Sequence, residues 1–233
     1  MRIDEIKGKL AGKSVADQLK SLISIFPGKV LLTTSFGIED QVITHILFSN
    51  NLDIKVVTLD TGRLFPETYE VFSQTIIKYK KKINVYFPDY LSVEKMVTEK
   101  GPFSFYESIG NRKECCNLRK VVPLKRALIG MDCWISGIRA DQSDNRKQMD
   151  WIEYDEDRKL YKFYPLFNWS FDDVIKFTKE NKVPVNSLLN KGFVSIGCEP
   201  CTKAVKPGED FRAGRWWWEN DGPKECGCHI KEA

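Results

Sequence analysis

Short apolar runs rich in β-branched residues alternate along the chain with longer segments whose apolar residues recur at helical spacing. The run GKVLLTTSF, at 28–36, breaks at Gly37, and apolar positions then recur periodically over 38–48. This order predicts a strand, a tight loop and a helix. By the same interpretation, further strands are predicted at 53–60, 83–87, 133–137 and 162–166, with helices after 66, over about 116–129 and from the N-cap Ser170 onward.

Strands that alternate with helices indicate an α/β fold, in which a mostly parallel sheet carries helices on both faces. From about Leu189 the periodicity fades into Gly, Pro, Cys and Trp, which is typical of a lid or tail rather than a second domain. We therefore expect a single domain over 1–233, with an α/β core at about 28–188 and a C-terminal segment at 189–233.

Composition narrows the functional class. The 233 residues, 42% of them hydrophobic, suffice for one large domain. The net charge of +4 is small and the lysines are scattered, which argues against a nucleic-acid-binding protein and is compatible with a small anionic substrate. No apolar run approaches the roughly 20 residues that span a bilayer, and no apolar signal-type segment follows the first residue. We therefore expect a cytoplasmic protein with no membrane contact.

Polar clusters follow three of the predicted strands. They are TTSFGIED at 33–40, LDTGR at 59–63 and SGIRADQSDNR at 136–146. Each alone is ordinary loop chemistry, but the carboxyl ends of parallel strands meet at one edge, where helix N-termini attract anions. The first cluster matches neither the GxxxxGK[ST] loop nor GxGxxG, so a Walker-type or dinucleotide-binding loop is not supported.

The seven cysteines carry the next signal, because close spacings in a reducing compartment indicate metal ligands or catalytic thiols. A C-x-x-C pair, Cys198 and Cys201, and an adjacent pair, Cys115 and Cys116, together provide four soft ligands. The residues alone leave an iron-sulfur cluster, zinc and free thiols open. Cys133 lies in an apolar strand and is interpreted as a buried small hydrophobe.

Cations lie near these cysteines in the sequence. Arg119 and Lys120 follow the adjacent pair, and RAGRWWW holds Arg212 and Arg215. These arginines either bind sulfate or phosphate or form a tryptophan-rich packing clamp. The chain ends in KECGCHIKEA, where the cysteines at 226 and 228 are either terminal thiols without a function or reactive thiols.

Taken in order, several motifs resemble the assimilatory adenylyl-sulfate reductases, the cluster-bearing branch of the phosphoadenylyl-sulfate reductase family. The motifs are TSFGIED, LDTGRLFPETY, CCNLRKVVPL, ISGIRADQS, FYPLFNWSFDDV, SIGCEPCTKA, GEDFRAGRWWWE and KECGCH. The resemblance covers about 30–229 and implies an adenine-nucleotide α-hydrolase-like fold with a modified pyrophosphate loop. It implies reduction of adenylyl sulfate to sulfite and AMP through an S-sulfonated cysteine, with thioredoxin or a similar dithiol as reductant and a homo-oligomeric enzyme.

The resemblance also assigns site residues. It implies a [4Fe-4S] cluster on Cys115, Cys116, Cys198 and Cys201, and Cys226 as the nucleophile. The residues that it implies as catalytic or sulfate-contacting cations are Lys120, Arg212, Arg215 and His229. The residues expected at the nucleotide are Ser35, Phe36, Gly37, Glu39, Asp60, Thr61, Gly62, Arg119 and Arg139. The implied role of the cluster is polarisation through Lys120 rather than electron transfer.

The chain departs from the family pattern at three positions. Phe65 and Leu189 stand where the family often has histidine, and Cys228 stands where the family usually has leucine. Cys228 is either a resolving thiol for Cys226 or a small apolar contact. Three alternative functions stay open. They are reduction of the 3'-phosphorylated substrate, an ATP-dependent thiolation or adenylation enzyme of related fold, and a nucleic-acid-binding module built on a four-cysteine metal site.

Overall fold

The computed structural model describes residues 2–219 and Cys228 of the chain. Within them, six strands form one sheet: β1 (Val30–Thr34), β2 (Lys55–Leu59), β3 (Asn84–Tyr86), β4 (Cys133–Ile135), β5 (Ile152–Asp155) and β6 (Leu160–Phe163). Their order across the sheet is β3-β2-β1-β4-β6-β5. Neighbouring strands are parallel except for β5 and β6, which are antiparallel.

Helices precede, connect and follow the strands. In the described residues they are α1 (Ile3–Leu10), α2 (Val15–Ile25), α3 (Ile38–Ser49), α4 (Pro66–Tyr79), α5 (Tyr90–Lys100), α6 (Ile109–Cys116), α7 (Val122–Leu128), α8 (Asp144–Lys147) and α9 (Phe171–Glu180). A π-helical turn, Asn117–Val121, joins α6 to α7. The predicted N-cap is confirmed, because the Ser170 hydroxyl accepts the backbone N–H of Asp173 at 3.1 Å.

The sheet is covered on both faces, as predicted. Alternate residues of one strand point to opposite sides, so Val30 and Leu32 join one core cluster while Leu31 joins the other. The first cluster includes side chains of α1, α2, α3, α4 and α9, and the second includes side chains of α5, α6 and α7. This alternation explains why β1, β2 and β4 are mostly apolar runs with no polar face.

The strand next to the sheet edge departs from the sequence prediction. The predicted strand at 162–166 begins earlier, at Leu160, and β5, an antiparallel partner that the apolar pattern missed, pairs with it. β5 was missed because this hairpin buries charge. Its Asp155 accepts from Arg158 Nη1 at 2.8 Å and pairs with Lys162, and all three side chains are at most 8% exposed. The predicted helix over about 116–129 is likewise part of a longer segment, beginning at Ile109 and interrupted by the π-helical turn.

The described part of the C-terminal segment packs on the second face of the sheet. It contains two 3₁₀ turns, Ser187–Lys191 and Glu199–Cys201, and it buries Cys201, Trp216 and Cys228 in the second core cluster. Across residues 2–219 and Cys228, no helix is both long and apolar enough to cross a membrane. The division at about 188 stays a prediction.

Candidate functional site

A cavity of about 170 Å³ lies at the carboxyl ends of β1, β2 and β4. β2 and β4 lie on opposite sides of β1, so the connections leave this point in opposite directions. Such a topological switch point is where open α/β sheets bind ligands. We call this the switch-point cavity, and its walls include parts of all three predicted polar clusters, among them Ser35, Thr61 and Ser136.

The loop after β1 is held by its own helix. Phe36 has a φ of 58°, and Gly37 is the N-cap of α3. The Asp40 carboxylate, in the first turn of α3, accepts from the Ser35 backbone N–H at 2.7 Å and from the Ser35 hydroxyl at 2.8 Å. Ser35 and Gly37 line the cavity, while Phe36 is buried against Phe72, with ring centres 4.8 Å apart.

Asp40 is packed tightly against the loop that follows β4. A Cβ atom on Gly137 would lie 2.5 Å from Asp40 Oδ1 and 3.1 Å from the Asp40 backbone nitrogen. Burial raises the pKa of Asp40 to about 6, and the hydrogen bonds from Ser35 oppose part of that rise. Because an added Cβ atom would clash with Asp40, the close approach of the two loops requires glycine at 137.

Glu39 and Arg139, both expected at the nucleotide, are paired with each other. Glu39 Oε1 accepts from Arg139 Nε and from Gln142 Nε2, each at 2.9 Å. Arg139 is 0% exposed and also pairs with Asp141. Glu39 lines the cavity with Gln142 and Arg146, whereas Arg139 supports it from behind. Arg146 belongs to the cluster SGIRADQSDNR and lines the cavity, although the family resemblance does not assign it to the site.

The loop after β2 forms another wall. The Asp60 carboxylate accepts from the Gly62 backbone N–H at 2.8 Å and from the Tyr69 hydroxyl at 3.0 Å. Burial and the Asp60 hydrogen bond raise the pKa of Tyr69 to about 12. Gly62 has a φ of 70°, and Arg119 Nη1 donates to the Thr61 carbonyl at 2.7 Å, which fixes the turn on the π-helical segment.

The four predicted ligand cysteines line a second cavity, of about 20 Å³, which we call the cysteine cavity. Its lining also includes Arg63, Arg112 and Arg119. Burial raises the pKa of Cys201, and the neighbouring Cys198 and Cys116 raise it further. Thr61 Oγ1 lies 3.2 Å from Cys198 Sγ, so the C-x-x-C segment contacts the loop after β2.

The four cysteines are a soft, all-sulfur donor set, which is the kind that an iron-sulfur cluster or zinc takes. In residues 2–219 and Cys228, no group of three His, Cys, Asp or Glu side chains is arranged to hold one metal ion. Four thiols nonetheless share one cavity, and a [4Fe-4S] cluster takes four cysteine thiolates. The soft all-sulfur set and its arginine surroundings suit such a group.

Lys120 lies between the two cavities. It lines both of them, as do Thr61 and Cys198. The π-helical turn that contains Lys120 continues directly from α6, which ends at Cys116. A cation on this turn can therefore face a ligand in the switch-point cavity and the cysteines together.

Arg212 and Arg215 line the switch-point cavity and are 8% and 7% exposed. Arg215 Nη1 donates to the Ile196 carbonyl at 3.3 Å, and its guanidinium lies 4.9 Å from the centre of the Trp216 ring. Arg215 Nε is buried without a hydrogen-bond partner in the structure as described. Arg215 thus packs against a tryptophan, as the packing-clamp interpretation predicts, and also lines the cavity, as the anion-binding interpretation predicts.

The remaining predicted residues divide into described and undescribed ones. Cys226 and His229 lie outside the described residues. Cys228 is 4% exposed and lines the switch-point cavity. Phe65 packs edge-on against Phe193, and Leu189 packs on the first core cluster, so both family-departing positions are filled by apolar contacts.

Comparison with known proteins shows which family and which proteins the chain is similar to. The chain matches the phosphoadenosine phosphosulfate reductase domain over residues 29–204. It is 47% identical over 228 residues to the adenosine 5'-phosphosulfate reductase of Sinorhizobium fredii (strain NGR234), covering 98% of this chain and 90% of that protein. To the protein of the same name from Allochromatium vinosum it is 42% identical, covering 94% of this chain and 86% of that protein.

Solved structures show the same fold. The phosphoadenylyl-sulfate reductase of Candida auris, in a phosphate complex, superposes with a TM-score of 0.74 at 28% identity, covering 88% of this chain and 98% of that one. The FMN adenylyltransferase of Candida glabrata superposes with a TM-score of 0.57 at 14% identity, covering 100% of this chain and 80% of that one. The second likeness concerns the fold alone.

Proposed function

Since the chain belongs to the phosphoadenosine phosphosulfate reductase domain family, we propose that it reduces adenylyl sulfate to sulfite and AMP in sulfate assimilation. The observation that carries the proposal is the shared wall of the two cavities. Lys120 and Thr61 face both the switch-point cavity and the four cysteines, and Arg212 and Arg215 line the same switch-point cavity. Positive charge is thus concentrated beside the cavity in which we propose that the adenine nucleotide binds.

The choice of substrate rests on the similar proteins. The two relatives described above, at 47% and 42% identity, are named adenosine 5'-phosphosulfate reductases. The reductase named for the 3'-phosphorylated substrate is less similar, at 28% identity. Reduction of the 3'-phosphorylated nucleotide is accordingly the second candidate.

In this proposal, the cations that line the switch-point cavity neutralise the negative charge of the substrate's sulfate. The sulfate of the substrate is anionic, so a thiolate that approaches its sulfur is repelled unless fixed cations offset the developing charge. Lys120, Arg212 and Arg215 line the cavity where that sulfate would lie. In this proposal His229 adds a further contact from the tail.

Two sulfur-transfer steps follow. The Cys226 thiolate attacks the sulfate sulfur, a new S–S bond forms, and the S–O bond to AMP breaks, leaving an S-sulfonated cysteine. A thiolate of thioredoxin or a similar dithiol then attacks the Cys226 sulfur and releases sulfite. The resulting mixed disulfide is resolved by the reductant's second thiol, so the reductant is oxidised and Cys226 is restored.

A [4Fe-4S] cluster on Cys115, Cys116, Cys198 and Cys201 completes the proposal. Bound there, the cluster would polarise the adjoining cationic site. Arg119 supports the arrangement, because it lines the cysteine cavity and donates to the Thr61 carbonyl at 2.7 Å. The segment over 189–233 accordingly supplies two of the ligands and the nucleophile, while the core supplies the nucleotide site.

Sulfite release from adenylyl sulfate and from its 3'-phosphorylated form, measured side by side with thioredoxin, tests the proposal. We expect a strong preference for adenylyl sulfate and no release by Cys226→Ser. A preference for the 3'-phosphorylated form would favour the second candidate. Pyrophosphate release from ATP, or salt-dependent nucleic-acid binding without nucleotide turnover, would favour the more distant alternatives.

Metal analysis tests the cofactor separately. We expect brown protein with about four irons and four labile sulfides per chain. Cys198→Ser and Cys201→Ser should lose both the iron and the activity, whereas Cys133→Ser, which alters a buried cysteine outside the cavity, should keep the iron. Colourless protein with one zinc would contradict the cluster.

A further inference from the structure

The Trp216 indole contacts a cation of each cavity. Trp216 is 2% exposed, and the guanidinium groups of Arg112 and Arg215 lie 4.7 and 4.9 Å from its ring centre. Arg112 lines the cysteine cavity and Arg215 lines the switch-point cavity. One buried aromatic ring therefore links the charged walls of the two cavities.

Glu219 fixes the Arg112 side of this arrangement. Glu219 Oε1 accepts from Arg112 Nε at 2.8 Å, and Oε2 accepts from Nη2 at 2.9 Å. The two side chains are 7% and 9% exposed. The Arg112 and Cys116 side chains line the same cavity and interact electrostatically. A bidentate, charge-assisted pair sets the plane and the position of the guanidinium, which a single contact would not do.

The backbone of Trp216 shows that its surroundings hold it in place. Its φ is 40°, in the left-handed region, where a bulky side chain is strained. Its N–H donates to the Cys201 carbonyl at 3.1 Å. Strain of this kind persists only where neighbouring contacts enforce it. A buried ion pair gains little net stability, because desolvation offsets the attraction, so stability alone does not account for the pair.

We propose that Glu219 is a positioning residue that holds Arg112 against Cys116 and, through Trp216, ties the segment carrying Arg215 to the cysteine cavity. The inference rests on the proposed function in taking Cys116 as a cluster ligand. Net charge and hydrogen bonds at ligating thiolates set the reduction potential of a cluster. Arg112 places positive charge at Cys116, and Glu219 both orients that charge and partly neutralises it.

The reduction potential of the iron-loaded protein separates positioning from simple packing. Glu219→Gln leaves the Arg112 charge uncompensated, so the potential should rise. Arg112→Gln removes that charge, so the potential should fall. Shifts in the same direction, or no shift, would overturn the inference. Glu114→Gln is the matched control, since this α6 carboxylate pairs with Lys100 and is 39% exposed. A shift there as large as in Glu219→Gln would also overturn it.

A charge-swapped double variant, Arg112→Glu with Glu219→Arg, sharpens the test. The swap restores the ion pair but places a carboxylate at Cys116. We expect its unfolding midpoint to lie above those of Arg112→Glu and Glu219→Arg alone, while its iron retention under chelator stays below that of the wild type. If the swapped variant retained iron as well as the wild type does, the pair would be only a structural contact, and the inference would be overturned.

The iron-free protein tests the ion pair independently of the cofactor. If the wild type binds no iron, the proposed cluster fails, but the link between Glu219 and Arg112 can still be measured. In a double-mutant cycle of Glu219→Gln and Arg112→Gln, the unfolding equilibrium constants should show coupling of about tenfold or more. Additive effects would overturn the positioning role whether or not iron binds.

Discussion

Gly137 and Asp40 show how closely two loops must approach to form the switch-point cavity. A Cβ atom at 137 would lie 2.5 Å from Asp40 Oδ1 and 2.9 Å from Glu39 Cβ. Both acidic residues are buried, so neither can move aside cheaply. We expect Gly137→Ala to lower the free energy of unfolding by about 1–3 kcal/mol, the usual cost of overpacking, and to weaken AMP binding.

The control for this substitution is Gly8→Ala. Gly8 lies in α1, is exposed, and has nothing within 4 Å of an added Cβ atom. Alanine there should be neutral or stabilising by up to about 1 kcal/mol, because glycine is a poor helix former. Urea unfolding measures both variants, and equal effects at the two positions would refute the steric explanation.

The pH dependence of stability reports on Asp40. Its pKa is raised by burial to about 6, against about 3.9 in an unfolded chain. Between these values the folded state binds more protons than the unfolded state, so this group's contribution falls as pH rises. The full difference, about 2 pKa units, corresponds to about 3 kcal/mol that is present below pH 4 and lost above pH 6.

Asp40→Asn removes this titration. Relative to the variant, the wild type should therefore gain stability as the pH is lowered from about 7 to about 4.5. Urea unfolding of both proteins across that interval measures the difference, in which the other carboxylates cancel. Parallel pH profiles would mean that Asp40 is not shifted as its burial implies.

At the scale of elements, apolar strands were predictable and charged or irregular elements were not. β1, β2 and β4 are apolar because both faces of the sheet are covered, and their runs predicted them. β5 escaped prediction because its Asp155 is satisfied by Lys162 and Arg158, contacts that no local pattern reveals. The apolar pattern also gives no signal for the π-helical turn over Asn117–Val121.

That turn is what places Lys120 on the shared wall. A π turn inserts extra residues into the helical path, so the residues that follow it are rotated relative to α6. A regular helix would therefore point the residues after Cys116 in other directions. We expect Lys120→Met to reduce sulfite formation by about 10²–10³-fold, the cost of removing one contact to a developing charge, while the iron content stays unchanged. Steady-state sulfite release and iron analysis together measure this.

Lys125→Met provides the comparison, because Lys125 lies on α7 one helical segment further along and is exposed. That variant should retain wild-type turnover. Loss of iron in Lys120→Met would instead make the lysine part of the support for the cysteines. Unchanged sulfite release would remove it from the catalytic group.

At the scale of the whole molecule, the convergence of the polar clusters at one cavity was predictable. Which of their residues line the cavity and which support it was not. Parallel strands imply one shared edge, so the positions of Ser35 and Thr61 at one cavity followed from the strand order. Arg139 pairs with Glu39, a contact between residues distant in sequence, whereas Arg146 lines the cavity. Residue type could not distinguish these two arginines.

The same fold brings the extra tail cysteine to the cavity, and its burial decides our last prediction. Cys228 belongs to the apolar cluster that contains Trp216 and Cys201, and it is 4% exposed. We expect this packing role to dominate, so that wild-type enzyme given adenylyl sulfate without reductant releases AMP and keeps the sulfonate on Cys226. Cys228→Leu should behave in the same way, while Cys226→Ser should release neither product.

The contrary outcome has a defined chemistry. If the Cys228 thiolate attacks the sulfonated Cys226 sulfur, a Cys226–Cys228 disulfide forms and sulfite leaves, with no external reductant consumed until the disulfide is reduced. Such a short ring is strained, so the bond would be readily reduced. Single-turnover sulfite release that matches AMP release in the wild type, and is abolished in Cys228→Leu, would make Cys228 a resolving thiol. Sulfite that appears only after thioredoxin is added, at equal rates in both proteins, assigns the transfer to Cys226 alone.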